Sequence, residues 1–334
     1  MVSNDVLLPT PSRVRRENGG DEDCIRDRVR RPTRSTVTHT AGTLPRPYVL
    51  ASLATIVLTG IATTVGLFVP GFYRDAPVLL PQVYGQDLLT LVVALPVFAV
   101  ALYYAARGSL RGYVVWLGVD GYLLYTYASY AFMTAFNELY LVYTTLLWLT
   151  LYTFVGGLVR LDVTRVKRTA EGLSVRPYVA FQALLAVLVA FLWLAEIVPA
   201  TLEGTTPVSV AEAELPTSVI YSLDLGIVLP AFVLSAYWLR QRRAWGYAFT
   251  AVLLVKAATL GLAVLVMAVF QLRDGQVVPV PVLAIFGLLT LTSLVLLARF
   301  LHSIEPRDGD DPSVPTTGDG AATASNRSRS DGSR

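Results

Sequence analysis

Residues 247–270 read YAFTAVLLVKAATLGLAVLVMAVF, a run of 24 positions in which Lys256 is the one charged side chain. The hydrocarbon core of a bilayer is about 30 Å thick and an α-helix rises about 1.5 Å per residue, so about 20 apolar residues are enough to cross it. The stretch therefore predicts a helix that spans a membrane.

Seven other stretches of the chain meet the same requirement. The chain of 334 residues is 54% hydrophobic and 15% charged, whereas soluble domains carry about 25% charged residues. These values predict an all-α fold, namely a polytopic transmembrane helix bundle of about eight spanning helices. In chain order the predicted helices are 48–70, 83–104, 113–136, 139–159, 178–199, 217–239, 247–270 and 278–301.

Many of the remaining charged residues lie at the two ends of the chain. Residues 1–45 and 302–334 are rich in polar residues and in Gly, a composition that predicts two disordered cytoplasmic tails. Between the tails the sequence predicts two transmembrane halves, residues 46–175 with helices one to four and residues 176–301 with helices five to eight.

The division into halves comes from short motifs that recur in the same order at offsets of 129–137 residues. RPYV occurs at residues 46–49 and again at 176–179, and LP occurs at 95–96 and again at 229–230. Two halves of four helices each would enter the membrane from the same side and form a parallel repeat. The alternative is that Pro, Gly and Tyr recur because all three favour helix ends.

The loops between the predicted helices differ in their content of Arg and Lys. If both tails are cytoplasmic, the loops on that side hold ten Arg and Lys residues, and the opposite loops hold only Arg74 and Arg273. The positive-inside rule then predicts a cell-membrane protein with both termini in the cytoplasm. It also explains the net charge of +3 without a nucleic-acid partner. The basic segment RQRRAWGY at residues 240–247 predicts contact with anionic lipids of the bilayer.

Several kinds of chemistry lack the residues that they need. Cys24 is the one cysteine, and the two histidines, His39 and His302, both lie outside the apolar runs. Paired histidines for haem and Cys/His clusters for zinc are therefore absent from the sequence, and we expect no cofactor and no metal. No pattern of a nucleophile with its base is visible either, so the sequence supplies no catalytic residues.

Asp120, Asp224 and Lys256 are the most informative of the charged residues that fall inside predicted helices. A charge at the centre of a membrane helix costs about 2.5–3.5 kcal/mol, so such residues usually face the interior of the bundle and pair with each other. Helices six and seven are joined by a short loop, which predicts an Asp224–Lys256 ion pair, with Asp120 within reach of the same lysine. Tyr127, in a tyrosine-rich helix, completes the predicted polar site. The alternative is that these residues only fix helix packing.

Four other residues have simpler interpretations. Asp87 and Glu196 lie near helix ends, where we expect interfacial carboxylates. Pro96 and Pro230 lie inside helices two and six, where each removes a backbone hydrogen bond and predicts a kink.

Two segments resemble a group of prokaryotic multi-pass membrane proteins that has no assigned activity. They are YLLYTYASYAFMTAFNELYLVY at residues 122–143 and DLGIVLPAFVLSAYWLRQRRAWGYAFTAVLLVKAATL at residues 224–260. The resemblance implies the same polytopic helical fold and no site residues.

Three functional hypotheses follow from the sequence. The first is a transporter or small-molecule-binding membrane protein with a site at Asp120, Tyr127, Asp224 and Lys256. The second is a non-transporting scaffold or accessory subunit, and the third, ranked last, is a lipid-modifying enzyme embedded in the membrane. A water-accessible cavity that reaches Lys256 favours the first hypothesis, and a dry packed core favours the second.

Overall fold

The computed structural model describes residues 44–304, and this part of the chain is helical throughout, without strands. The predicted tails lie outside the described residues except for residues 44–45 and 302–304, and the last helix continues to Ser303. The helices are α1 (Arg46–Phe68), α2 (Leu80–Ala106), α3 (Leu110–Met133), α4 (Tyr140–Arg160), α5 (Val163–Ala170), α6 (Arg176–Glu203), α7 (Val208–Glu212), α8 (Val219–Arg240), α9 (Ala244–Arg273) and α10 (Val280–Ser303).

Seven of the described helices are long and apolar enough to cross a membrane, namely α1, α2, α4, α6, α8, α9 and α10. Helix α3 has 24 residues, which is sufficient length, but its sequence is more polar and most of its residues are buried. It ends at Met133, so residues 134–139 form a longer connection to α4 than the two-residue hairpin that the sequence predicted.

Helix α1 shows how the described bundle distributes its polar and apolar residues. Its buried residues include Ser52, Thr55, Thr59 and Thr63, while large apolar side chains such as Leu50, which is 66% exposed, face outward. The hydroxyl groups of Thr55 and Thr63 donate to carbonyl oxygens four residues earlier in the helix. Polar residues inside and apolar residues outside are the arrangement expected where the surrounding solvent is lipid.

Helix α9, which contains the apolar run quoted first, lies at the centre of the described bundle. It packs along α2, α3, α8 and α10. Glycines allow the backbones to approach at three of these contacts, because a Cβ atom would collide with Val255 at Gly118, with Met267 at Gly85 and with Thr290 at Gly261. Small residues at helix contacts are typical of membrane bundles, where dispersion contacts replace the hydrophobic effect.

Helices α2 and α8 each contain one π-helical segment, at Thr90–Ala94 and Asp224–Val228. Each segment is followed directly by a Leu-Pro pair. The Leu95 N–H donates to the carbonyl of Thr90 and the Leu229 N–H to that of Asp224, so the hydrogen bonds reach back five residues rather than four. Since a proline ring collides with the carbonyl four residues before it, the wider turn accommodates the prolines that the sequence predicted as kinks.

The loops of the described bundle lie at two ends. The acidic end is formed by residues 69–79, 134–139, 204–218 and 274–279, and the basic end by residues 107–109, 161–175 and 241–243. At the basic end, the short helix α5 was not predicted from the sequence. It packs against α9, and the Asp162 side chain caps it by accepting from the Arg165 N–H at 2.9 Å.

Hydrogen bonds tie the loops of the acidic end to each other. Arg74 forms an ion pair with Glu138, and the Asp75 carboxyl accepts from the Ala135 N–H at 2.8 Å. Gln276 donates to the Val78 carbonyl at 3.3 Å. These contacts bring the α1–α2, α3–α4 and α9–α10 connections together.

Candidate functional site

A cavity of about 450 Å³ lies inside the described bundle, between α2, α3, α6, α8, α9 and α10. Its lining runs from Asp75 and Val278 at the acidic end, past Lys256 near the middle of α9, to Leu185 and Phe232. Its lining is mostly apolar and carries a small number of polar groups. Its size and composition are those of small-molecule sites, which occupy about 300–1,000 Å³ and use a few polar groups for orientation.

Four side chains from four helices meet inside this cavity, at the level of Lys256, which we call its base. We call them the Lys256 cluster: Lys256 of α9, Tyr125 of α3, Asp224 of α8 and Trp193 of α6. Tyr125 donates to one oxygen of Asp224 at 3.0 Å and Trp193 donates to the other at 2.9 Å. An indole N–H can only donate, so the Asp224 oxygen that faces Trp193 acts as an acceptor.

Lys256 is held by an aromatic ring rather than by a carboxylate. Its ammonium nitrogen lies 4.2 Å from the centroid of the Tyr125 ring, within the range of cation–π contacts. Among the described residues it forms no ion pair with Asp224. The predicted direct ion pair is therefore wrong, and Tyr125 links the two residues by its ring on one side and its hydroxyl on the other.

The π-helical segment of α8 begins at Asp224. Pro230 requires a wider turn before it, and the first residue of that turn is the acidic one. π-helical segments occur frequently at functional sites. The extra residue in the turn changes the direction in which the preceding side chains leave the helix. The same local sequence, Asp224 followed by Leu229-Pro230, thus supplies both the carboxyl group and the irregular backbone that carries it.

The other two predicted site residues lie elsewhere in the bundle. Asp120 is fully buried and accepts from Thr153 of α4 at 2.8 Å, while its second oxygen has no partner among the described residues. Neither oxygen of Asp120 contacts Lys256 and Asp120 does not line the cavity, so the structure does not bring these two residues together. Tyr127 packs against Tyr130 and Tyr143, and its hydroxyl group also lacks a partner in the described part of the chain.

A second buried carboxyl group lies beside the cavity wall, in what we call the Asp87 cluster. Tyr73 donates to one oxygen of Asp87 at 2.5 Å and Tyr130 donates to the other at 2.9 Å. Burial and the Asp87 carboxylate raise the pKa of Tyr73 well above its usual range, so Tyr73 keeps its proton. Asp87 is 1% exposed, which differs from the interfacial position expected from the sequence.

The Asp87 cluster continues into a network of neutral polar groups on α2 and α3. Gln86 donates to Tyr122 at 3.0 Å and to Thr126 at 2.7 Å, and Thr90 lies 2.9 Å from the Tyr122 hydroxyl. Gln86 and Thr126 also line the cavity. These hydrogen bonds show that part of the tyrosine-rich helix serves helix packing, the alternative considered from the sequence.

Asp75 stands at the mouth of the cavity, outside the long apolar helices. Burial raises the pKa of its carboxyl group above the usual value, and the hydrogen bond from the Ala135 N–H offsets this in part. One Asp75 oxygen has no partner among the described residues.

Two members of the Lys256 cluster were not predicted from the sequence. Trp193 was not singled out at all, and Tyr125 was not predicted to be a site residue. Trp193 lies well inside its apolar helix rather than at an end. A tryptophan at such a depth needs a hydrogen-bond acceptor for its N–H. This need was the feature of the sequence that could have identified Trp193. Tyr125 could not be separated from its neighbours Tyr122, Tyr127 and Tyr130, because only packing decides which of them faces the cavity.

Comparison with protein-family models, with curated proteins and with solved structures finds no match to this chain. The part that the structure describes also lacks any cluster of His, Cys, Asp and Glu residues suited to a metal ion. The class of the protein therefore rests on its own features. Seven long apolar helices with exposed apolar faces are the features of a helical, membrane-embedded protein.

Proposed function

We propose that this chain is an eight-span membrane protein that binds a small, largely apolar molecule in its cavity, either for transport or for recognition. The observation that carries the proposal is the cavity that reaches Lys256. A dry core around the buried charges would have favoured a scaffold whose polar residues serve only assembly.

The eighth span in this proposal is α3. Its 24 residues match the thickness of a bilayer, and it lies against α2, α4 and α9 along its length. Several of the polar groups that lower its hydropathy have partners inside the bundle, as Asp120 has in Thr153 and Tyr130 in Asp87. Polar residues of spanning helices typically face the bundle interior in this way.

The proposed orientation has both termini in the cytoplasm. The loops of the basic end, together with adjoining helix ends, carry ten Arg and Lys residues, and those of the acidic end carry Arg74 and Arg273. The positive-inside rule assigns the basic end to the cytoplasm. The cavity would then open toward the exterior, and the basic segment at residues 240–247 would contact anionic lipids.

We also propose that the chain consists of two tandem halves. Equivalent features of α2–α3 and α8–α9 lie 134 residues apart: the π-helical segments begin at Thr90 and Asp224, and the turns contain positive φ angles at Gly108 and Arg242. Gly112 and Gly246 each pack against the end of the preceding helix. Shared composition of helix ends does not account for a π-helical segment at the same place, so this agreement supports duplication.

Packing between the proposed halves is unequal, and the cavity lies at the looser contact. The first part of α2 packs closely along α9, whereas the first part of α8, its counterpart, packs less closely against α3, through Val219–Leu223 and Asp224. If the two halves were related by exact symmetry, the α2–α9 contact and the α8–α3 contact would be equally close. The open one is the space between Tyr125 and the start of α8, where a ligand would reach Lys256.

Cysteine accessibility tests this proposal. Cys24 is replaced by Ala, and single cysteines are placed at Gln82 and at Leu289, which line the cavity, and at Leu146, which is buried away from it. We expect a membrane-impermeant thiol reagent, added outside intact cells, to label Gln82→Cys and Leu289→Cys and to leave Leu146→Cys unlabelled.

Two results would contradict the proposal in different ways. Labelling of the cavity cysteines only from the cytoplasmic side would reverse the orientation and keep the cavity. Labelling of neither cysteine from either side would mean that water does not enter, and a scaffold with a dry core would become the better interpretation.

A further inference from the structure

The wall of the cavity determines what kind of ligand it can hold. Among its described lining residues the charged ones are Asp75 at the mouth and Asp224 and Lys256 at the base. Most of the others are apolar, and many of these belong to α6, α9 and α10, such as Leu192, Val264 and Phe286. Because a charged or strongly polar body loses hydration against such a wall without compensation, the body of the ligand is apolar.

The charge balance at the base argues for a neutral ligand. The Lys256 cluster contains one basic and one acidic side chain, which Tyr125 links. An anionic ligand would add a second negative charge beside Asp224, and a cationic ligand would add a second positive charge beside Lys256. Either addition is unfavourable in a buried site, where the energy between charges is larger than in water.

The amine of Lys256 is available to react with a ligand in the cavity. Its nitrogen has no hydrogen-bond acceptor and no ion-pair partner among residues 44–304, and the residue lines the base of the cavity. The amine of a buried lysine is a nucleophile toward carbonyl carbon. Asp224 stands nearby as a carboxylate whose two oxygens are fixed by Tyr125 and Trp193.

We propose that the cavity binds an apolar aldehyde, which forms a Schiff base with Lys256, and that Asp224 is the counter-ion of the protonated Schiff base. The proposal rests on the proposed function, since it requires the cavity to admit a ligand. The ligand is an apolar chain that ends in an aldehyde group, with the aldehyde at the base and the chain along the apolar wall.

The reaction is a condensation and needs no oxidant or reductant. The Lys256 ammonium group first releases one proton to water, and the neutral amine attacks the carbonyl carbon. A carbon–nitrogen bond forms, and the carbonyl oxygen leaves as water with the two remaining hydrogens of the amine. One proton then binds the imine nitrogen. The site again holds one positive and one negative charge, so the charge balance of the unliganded cluster is kept.

The chain offers an internal control, because Lys167 is its one other lysine. Lys167 lies on the short helix α5, where it pairs with Glu171 at 3.8 Å, and its side chain is 33% exposed. Lys256 is 8% exposed. Simple accessibility therefore favours reaction at Lys167, whereas a binding site favours reaction at Lys256.

The experiment uses the full chain in nanodiscs of a neutral phospholipid, with dodecanal as the probe and cyanoborohydride to reduce any imine to a stable amine. Peptide mass spectrometry then measures the adduct at each lysine. We expect saturable modification of Lys256, at least about tenfold faster than that of Lys167, since binding raises the local concentration of the aldehyde. Dodecanol in excess should slow it by competing for the apolar wall.

A second measurement reports on Asp224. With retinal, a conjugated apolar aldehyde, a protonated Schiff base absorbs at a longer wavelength than the free aldehyde. We expect this shift in the unmodified chain and in Lys167→Arg. It should be absent in Lys256→Arg, which keeps the positive charge, and reduced at neutral pH in Asp224→Asn, which removes the counter-ion.

The Schiff-base proposal would be overturned if, in the unmodified chain, Lys167 were modified at the same rate as Lys256 or if neither lysine were modified. This test needs no variant, so it does not depend on whether a variant folds. If the cavity cysteines are nevertheless labelled from outside, the proposed function stands and only the ligand class fails. If those cysteines are not labelled, the proposed function fails as well.

Discussion

The bond between Tyr125 and Asp224 gives the sharpest test of the Lys256 cluster. Tyr125→Phe removes the hydroxyl that donates to Asp224 at 3.0 Å and keeps the ring beneath Lys256. Hydrogen bonds to charged groups contribute about 1.5–3 kcal/mol in soluble proteins, but measured values within membrane proteins average about 0.6 and reach about 1.7 kcal/mol. The 3.0 Å distance is long for a charge-assisted bond, so we expect a coupling of about 1 kcal/mol.

A double-mutant cycle measures this coupling. Tyr125→Phe, Asp224→Asn and the double variant are unfolded reversibly in mixed micelles, and the free energies of unfolding are compared with that of the unmodified chain. The matched control pairs Asp224→Asn with Tyr130→Phe, because Tyr130 donates to Asp87 instead. Residues without shared partners are additive within about 0.3–0.5 kcal/mol.

A coupling between Tyr125 and Asp224 that lies within the additivity limit of about 0.3–0.5 kcal/mol would refute the geometry of the cluster. A coupling of about 1 kcal/mol in both the test pair and the control pair would show instead that the two acidic clusters act as one network, which the hydrogen bonds described above do not predict.

Two further perturbations test other parts of the structure. Asp75→Asn keeps an acceptor for the Ala135 N–H and removes a carboxyl group whose pKa is raised by burial. The contribution of protonated Asp75 to stability is complete below its usual pKa and is lost as the pH rises through the raised pKa. At pH 7 we therefore expect the variant to have the higher melting temperature, with a free energy of unfolding larger by less than about 1 kcal/mol, and we expect no difference below pH ~4. Gly246→Ala should lower the free energy of unfolding by about 1–3 kcal/mol, because the added Cβ atom meets the backbone of Leu239. The control variant Gly60→Ala, where an added Cβ atom has nothing within 4 Å, should not lower the melting temperature. Equal effects of the two glycine variants would contradict the close approach of Gly246 to the end of the preceding helix.

The candidate site was only partly predictable. The cost of charge in an apolar helix singled out Asp224 and Lys256, and both line the cavity. The same argument singled out Asp120, which pairs with Thr153 instead. Sequence distance gives the depth of a residue in the membrane, but it does not give the direction in which its side chain leaves the helix.

The sequence by itself determined the all-α class and the approximate places of the long apolar helices, because spanning length and apolar composition are local properties. Only the tertiary structure decided that Tyr125 stands between Lys256 and Asp224, that Trp193 completes the cluster, and that Asp87 is buried by Tyr73 and Tyr130. Each of these contacts joins different elements, and the rotation of one helix about its axis against another is set by the packing of the whole bundle.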